Sequence, residues 1–221
     1  MGCRFRTAPP IGELIEAAGG VVAPVKFGST DIIAAYSRIR GQQRWFWANT
    51  QATDPARLRF SLAHELGHAV LHWERIADPV VVDAETEAHH FASAFLMPAD
   101  EIKRQLNRVT PNLANLTRVA TQWQVSVQAL VMRAKQVGSL SAAEHAGVWR
   151  MLNARGLAKA ALVDVHPEPP GVLASLLALH REEHGHDDAA IAEMTGLPLA
   201  RLQDLMPSLF PIRQTRRLRA V

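Results

Sequence analysis

The residues with the clearest chemical potential form the pentapeptide His64-Glu65-Leu66-Gly67-His68. On a helix, residues four apart are separated by about 40° in azimuth and about 6 Å along the axis, so both histidines can direct a ring nitrogen at one ion. Glu65 lies on the flank of that face, where its carboxylate can hold a water molecule. This H-E-x-x-H arrangement is typical of zinc-dependent peptide hydrolysis, and it predicts a Zn²⁺ site with His64 and His68 as ligands.

A catalytic zinc site needs a third protein ligand and an open position for water. His72 continues the row of histidines, but it lies about 12 Å along the axis from His64, so both cannot reach one ion. We expect His72 either to orient a ligand or to pack in the interior. In the next predicted helix, Glu85 falls on the apolar face, where a carboxylate is costly unless it is paired or bound to metal. Glu85 is therefore the predicted third ligand, with Glu87 as the alternative.

The surroundings of the pentapeptide favour a metal site over a histidine pair on a solvent-facing helix. Phe60, Gly67 and Leu71 lie on the same side as His64, which predicts that this face is turned towards the interior. A glycine within a helix costs about 1 kcal/mol relative to alanine, which is understandable if another element approaches closely there. His89 is expected either to hydrogen-bond a metal ligand or to lie half-exposed.

In the predicted mechanism, Glu65 takes a proton from water and returns it to the leaving amine. The tetrahedral oxyanion then needs a stabilising group. Candidates for this role are Tyr36, His90 and Arg59, and the sequence does not rank them.

The elements that must position these residues predict an α+β fold. Turn formers and β-rich runs over 21–27, 31–39 and 44–48 indicate a small N-terminal β-sheet. Capping residues and prolines predict helices over 54–73, 83–97 and 98–106. Helices separated by polar caps and glycine stops follow over 113–123, 127–137, 142–154, 172–183, 188–195 and 198–206.

Composition shifts and proline-rich breaks divide the chain into three predicted units. Residues 1–110 form a metallopeptidase-like domain, residues 111–165 a helical domain compatible with helix-turn-helix geometry, and residues 166–221 a small helical segment with a basic tail. The last unit contains the arginines that account for the net charge of +3, so the charge is only a weak indication of nucleic-acid binding.

The composition excludes several other classes of protein. The chain has 221 residues, of which 48% are hydrophobic and 20% charged, as in ordinary globular proteins and unlike disordered or collagen-like chains. The single cysteine cannot form an internal disulfide, and no apolar run approaches the length of about 18 residues that a membrane span requires. We therefore expect a cytoplasmic protein without a membrane partner.

Two longer blocks carry a family resemblance. Residues 59–72 read RFSLAHELGHAVLH, and residues 85–98 read ETEAHHFASAFLMP. Together they resemble the ImmA/IrrE family of metallo-endopeptidases. The family pattern is a glutamate, then any two residues, then an alanine, then usually Asn or Asp. Glu85 stands at the glutamate position of this pattern, so the resemblance supports Glu85 as a zinc ligand. This chain has His89 where Asn or Asp is usual.

The resemblance implies a gluzincin-like core, in which an extended substrate adds to the edge strand of a small sheet above the zinc helix. Residues Arg44–Asn49 are the best candidate for that edge, although they equally fit a buried strand with Trp45 and Trp47 on one face. The resemblance also implies the substrate, a phage-type helix-turn-helix repressor. Its cleavage would relieve repression of a mobile element, a stress response or a toxin-antitoxin pair.

A second hypothesis is a DNA-binding or repressor-binding regulator, or a toxin-antitoxin protein, whose zinc site is not catalytic. The helix pairs within 119–135 and 188–206 are compatible with helix-turn-helix geometry. Arg133 and Lys135 give the first pair little basic character, and several acidic residues in the second oppose contact with phosphate. Glu65 discriminates between the hypotheses, because a structural zinc site does not need it.

Overall fold

A three-stranded mixed sheet lies at the N-terminal end of the molecule. The computed structural model describes residues 9–38, 43–72, 83–168 and 171–212. Strands β1 (Gly20–Val25), β2 (Ala34–Arg38) and β3 (Arg44–Asn49) are arranged in the order β1-β3-β2. β3 runs parallel to β1 and antiparallel to β2.

The two faces of β3 have different roles. Phe46 and Ala48 are buried in the main core, together with Leu62 of the following helix. Trp45 and Trp47 alternate with them on the opposite face, where their rings stack with centroids 5.3 Å apart. The sheet therefore presents one apolar face to the helical part of the protein.

Helices make up most of the rest of the described chain. They begin and end near the positions that the caps and prolines predict, and three of the predicted ranges agree to the residue. The helices are α1 (Ile11–Ala17), α2 (Pro55–Leu71), α3 (Ala84–Leu96), α4 (Ala99–Leu106), α5 (Leu113–Trp123), α6 (Val127–Gln136), α7 (Ala142–Ala154), α8 (Val172–Glu182), α9 (Asp188–Thr195) and α10 (Leu199–Leu205).

The described residues form one large core and one small one. Buried side chains from the sheet and from α1 to α7 belong to a single cluster. A separate cluster contains Leu177, Ile191, Leu202 and Phe210 from the C-terminal helices. The α+β class is confirmed, whereas the division at residue 110 stays a prediction.

Two features differ from the expectation. α1 lies before the sheet, where only β-rich runs were expected, and it buries Ile11 and Ile15. The prediction that Arg44–Asn49 is an edge strand is wrong, because β1 and β2 pair with its two sides. β3 is inserted between β1 and β2, and the alternation of side chains within one strand does not reveal this order. Three predicted features lie outside the described residues: the end of a β-rich run at residue 39, the end of a helix at residue 73, and the basic tail.

Candidate metal centre

Helix α2 carries the pentapeptide, and its first turn is fixed by a side-chain cap. The Asp54 carboxylate accepts hydrogen bonds from the backbone N–H groups of Ala56 and Arg57, at 3.0 and 3.4 Å. Pro55 occupies the first helical position, where a backbone N–H would have no partner within the helix. The helix therefore starts at a defined residue and presents His64, Glu65 and His68 from its middle.

Helix α3 crosses α2 at Gly67. A Cβ atom at Gly67 would lie 3.1 Å from Ala88 Cα and 3.2 Å from Ala88 O, both on the α3 backbone. The close approach that the mid-helix glycine predicts is therefore present. Asp83 caps α3 by accepting a hydrogen bond from Thr86 N at 3.1 Å. This crossing brings the first turn of α3 next to the histidines.

Three side chains converge at this crossing. His64 Nε2 lies 3.0 Å from His68 Nε2 and 3.2 Å from Glu85 Oε2. His68 Nε2 lies 3.3 Å from Glu85 Oε1. Donor atoms that each lie about 2.0–2.1 Å from one ion at tetrahedral angles are about 3.3 Å apart. The donor set of two imidazoles and one carboxylate, with these separations, fits a Zn²⁺ ion.

The surroundings of both histidines favour their neutral forms. Burial lowers the pKa of His64, and the neighbouring His68 adds to this effect. Burial also lowers the pKa of His68. Because only the neutral imidazole has a free electron pair for a metal, burial favours the form that can bind one.

Glu65 lies beside this group in a partly buried position. The pKa of Glu65 is raised to about 7, mainly by burial and also by the Glu85 carboxylate, while a hydrogen bond with the Tyr36 backbone acts in the opposite direction. A carboxylate with a pKa near neutrality can both accept and return a proton. The raised pKa of Glu65 would suit a general base.

Sequence comparison agrees with this geometry. Residues 36–135 match the model of the Peptidase_M78 family, described as the IrrE N-terminal-like domain. This segment of the chain is thus similar to an IrrE N-terminal-like domain and is called the IrrE-like domain below. No curated protein is significantly similar to the sequence. The resemblance to ImmA/IrrE peptidases is thus confirmed over the segment that contains the histidines and α3.

The two glutamates of α3 occupy different places in the IrrE-like domain. The Glu85 carboxylate contacts both histidines of the pentapeptide. Glu87 instead contacts His72, with Oε2 3.0 Å from His72 Nε2. The expectation that Glu85 is buried is wrong, since its side chain is 79% exposed. Glu85 lies in the first turn of α3. Its Cα is on the apolar side of the helix, but its long side chain ends at the surface next to α2.

Other predicted neighbours of the site divide between the interior and the surface. Leu71 is 40% exposed, so the apolar side of α2 ends before it. His89 lies near the histidines, with its ring centroid 6.3 Å from that of His64 and 4.9 Å from that of Phe60. Partial burial is the main cause that lowers the pKa of His89, and this favours the neutral form of its imidazole.

The candidate oxyanion partners are now distinguishable by position. Arg59 is buried, and its Nη1 donates to Glu168 Oε1 at 2.9 Å, which commits its charge to an ion pair. The Tyr36 hydroxyl is buried, with no hydrogen-bond partner among the described residues. His90 is exposed on α3. Arg59, Tyr36 and His90 do not line the cleft next to His64, whereas His89 does.

A cleft lies beside His64 and reaches the later helices α6 and α7. It has a volume of about 390 Å³ and is lined by His64, His89, Phe60, Met132 and Trp149, among others. Met132 and Trp149 come from α6 and α7, far along the chain from the pentapeptide. Sequence reasoning missed both residues, because no local pattern indicates that these helices face α2.

The basic side chain of Arg133, in the helix pair α5–α6, lies in the interior of the protein. Arg133 is buried, and its Nε donates to Met97 O at 2.9 Å. This guanidinium therefore anchors α6 to the end of α3. No helix in the described ranges is long and apolar enough to cross a membrane.

Proposed function

We propose that this protein is a zinc-dependent endopeptidase, with His64, His68 and Glu85 as zinc ligands and Glu65 as general base. The convergence of the three donor groups within 3.3 Å of one another supports this proposal. The family match supports the same class of enzyme. Zinc in this position would supply a Lewis acid and would lower the pKa of a water molecule.

Glu65 moves the proton in the proposed reaction. Its carboxylate takes a proton from the attacking water and returns it to the amine of the leaving peptide. Its raised pKa suits both steps at neutral pH. We propose that His89, which lines the same cleft as His64, donates a ring N–H to the peptide carbonyl oxygen.

We infer that the substrate adds to β2 rather than to β3. Asn49 N–H donates to Ile33 O at 2.9 Å, and hydrogen-bonded pairs alternate along an antiparallel ladder. The backbone groups of Ala34, Tyr36 and Arg38 consequently point away from β3. Because the Tyr36 backbone interacts with Glu65, this edge, which pairs with no other strand among the described residues, lies next to the proposed base. An extended peptide paired with β2 would lie along the metal centre.

We infer from the ImmA/IrrE resemblance that the substrate is a phage-type helix-turn-helix repressor, and that its cleavage relieves repression. Such repressors bind DNA inside the cell, so the reaction would take place in the cytoplasm. The pairing with β2 requires an extended segment, which favours an interdomain linker or a locally unfolded helix as the cleavage site.

Cleavage of purified repressors by the zinc-loaded protein tests this function. Intact-mass spectrometry should detect two fragments whose masses sum to that of the repressor plus one water. Glu65→Gln should abolish these fragments while leaving zinc bound, because it removes the base and keeps the ligands. Equal cleavage by Glu65→Gln, or cleavage that continues after zinc is removed with a chelator, would contradict the proposal.

A further inference from the structure

A second pair of contacts extends the metal centre away from the cleft. His72 Nδ1 lies 3.1 Å from His68 Nδ1. On its other side, His72 Nε2 lies 3.0 Å from Glu87 Oε2. The contacts form a continuous chain from Glu87 through His72 to His68, whose remaining nitrogen, Nε2, is directed at the metal position.

With a neutral His72 and an ionised Glu87, the chemistry of the groups permits one arrangement of protons along this chain. An ionised carboxylate only accepts hydrogen bonds, so His72 Nε2 must donate to Glu87. In neutral His72, Nδ1 is then an acceptor, and His68 Nδ1 must donate to it. A neutral His68 with its proton on Nδ1 has its electron pair on Nε2, the atom that faces His64 and Glu85.

We propose that His72 and Glu87 are positioning residues that set the tautomer and ring orientation of His68 for zinc binding. The inference deepens the proposed function and depends on it for the identity of the metal. A metal-binding histidine commonly donates its second ring N–H to another group, which fixes the ring and increases its basicity. Here the acceptor is a second histidine, which is in turn held by a carboxylate.

The fold makes this chain of contacts specific. His68 and His72 are four residues apart on α2, so their rings lie on the same face of the helix. Glu87 comes from α3, and the close contact at Gly67 holds α3 against α2. The His72 side chain is only 12% exposed, which limits competition from water for its ring nitrogens.

The two glutamates of α3 therefore have separate roles. Glu85 and Glu87 are two residues apart, so their side chains leave the helix in different directions. Glu85 contacts the two histidines at the metal position, whereas Glu87 contacts the histidine behind one of them. Loss of Glu85 would remove a ligand, and loss of Glu87 would leave all three ligands present with one of them poorly oriented.

Zinc affinity, measured by competition with a chelating dye, tests this role without any substrate. His72→Ala and Glu87→Ala should each weaken zinc binding by about 10-fold to 100-fold, the usual effect of removing such a partner. The double variant should be no weaker than the poorer single variant, because both act through His68. Glu87→Gln keeps an acceptor oxygen and should recover part of the affinity.

Glu101→Ala is the matched control, because Glu101 is a similarly half-exposed glutamate in the first turn of α4. It should bind zinc like the unchanged protein. Circular dichroism of each variant would show whether the fold is intact. Folded His72→Ala and Glu87→Ala variants with unchanged zinc affinity would overturn the proposal.

Nitrogen-detected NMR of the histidine rings tests the same idea in the unchanged, metal-free protein. The expected spectrum has His72 protonated at Nε2 and unprotonated at Nδ1, and His68 protonated at Nδ1. The opposite tautomer of either ring would overturn the chain of hydrogen bonds. Failure of the unchanged protein to bind zinc would instead contradict the proposed function, so the two failures are distinguishable.

Discussion

Replacement of Gly67 by alanine tests how tightly α2 and α3 are packed beside the proposed zinc ligands. The added Cβ would meet Ala88 Cα and Phe91 Cδ1 at 3.1 Å and Ala88 O at 3.2 Å. Two of these atoms belong to a helix backbone, so the strain is relieved only if α3 moves away. Alanine gains about 1 kcal/mol from helix propensity, whereas overpacking in a well-packed core costs about 1–3 kcal/mol. We expect a net loss of up to about 2 kcal/mol.

Gly147 provides a matched control within α7. A Cβ atom there would meet only the flexible end of Arg150, at 3.9 Å. Gly147→Ala should therefore gain about 1 kcal/mol from helix propensity without a steric cost. Because both variants share this gain, the difference between their free energies of unfolding isolates the overpacking cost of about 1–3 kcal/mol at Gly67.

Urea unfolding of the two variants and the unchanged protein gives this difference, and zinc titration of the same samples reports on the site. Gly67→Ala should bind zinc more weakly, because movement of α3 carries Glu85 away from the histidines. Equal stabilisation by both substitutions, with zinc affinity preserved in Gly67→Ala, would refute the tight contact between the helices.

Three further changes test other parts of the structure. Ala34→Pro should leave the fold intact and raise the KM for a cleaved repressor, since this N–H lies on the side of β2 that pairs with no other described strand. Ala35→Pro should destabilise the sheet by removing a ladder hydrogen bond, and similar circular dichroism and KM values for the two variants would contradict the assigned edge. Glu168→Ala should cost about 3 kcal/mol in urea unfolding, because it removes the carboxylate that forms a largely buried ion pair with Arg59, and a neutral effect would argue against this role. Hydrogen bonds from Ser141 lower the pKa of Glu144, so the ionised form of Glu144 contributes stability at neutral pH that is lost as pH falls through the lowered pKa. The difference in unfolding midpoint between the unchanged protein and Glu144→Gln should therefore shrink in acid. A difference that stays constant with pH would contradict this role of Glu144.

The local elements could be predicted from the sequence because each carries its own signal. Asp54 with Pro55 marks the start of α2, and the capping box of Ser141 and Glu144 marks the start of α7. The H-E-x-x-H spacing places two imidazoles on one side of a helix whatever the rest of the chain does. Even the close contact with α3 is indicated by the local sequence, because Gly67 is an unfavourable residue for a helix interior.

The parts that were missed depend on residues distant in the chain. The position of β3 between β1 and β2 follows from the connections between strands, and the residues of Arg44–Asn49 themselves do not encode it. Met132 and Trp149 reach the cleft only because α6 and α7 share the main core with α2. The exposure of Glu85 also escaped prediction, since a helical projection gives the direction of the Cα–Cβ bond and not the place where a long side chain ends.

Zinc content tests the central claim most directly. It would be measured by mass spectrometry on purified, dialysed samples of the unchanged protein and of His64→Ala, Glu65→Gln and Glu85→Ala. The proposed site predicts one zinc ion per chain in the unchanged protein and in Glu65→Gln, and strongly reduced zinc in the other two variants. Absence of zinc from the unchanged protein after reconstitution, or full occupancy in His64→Ala and Glu85→Ala, would contradict it.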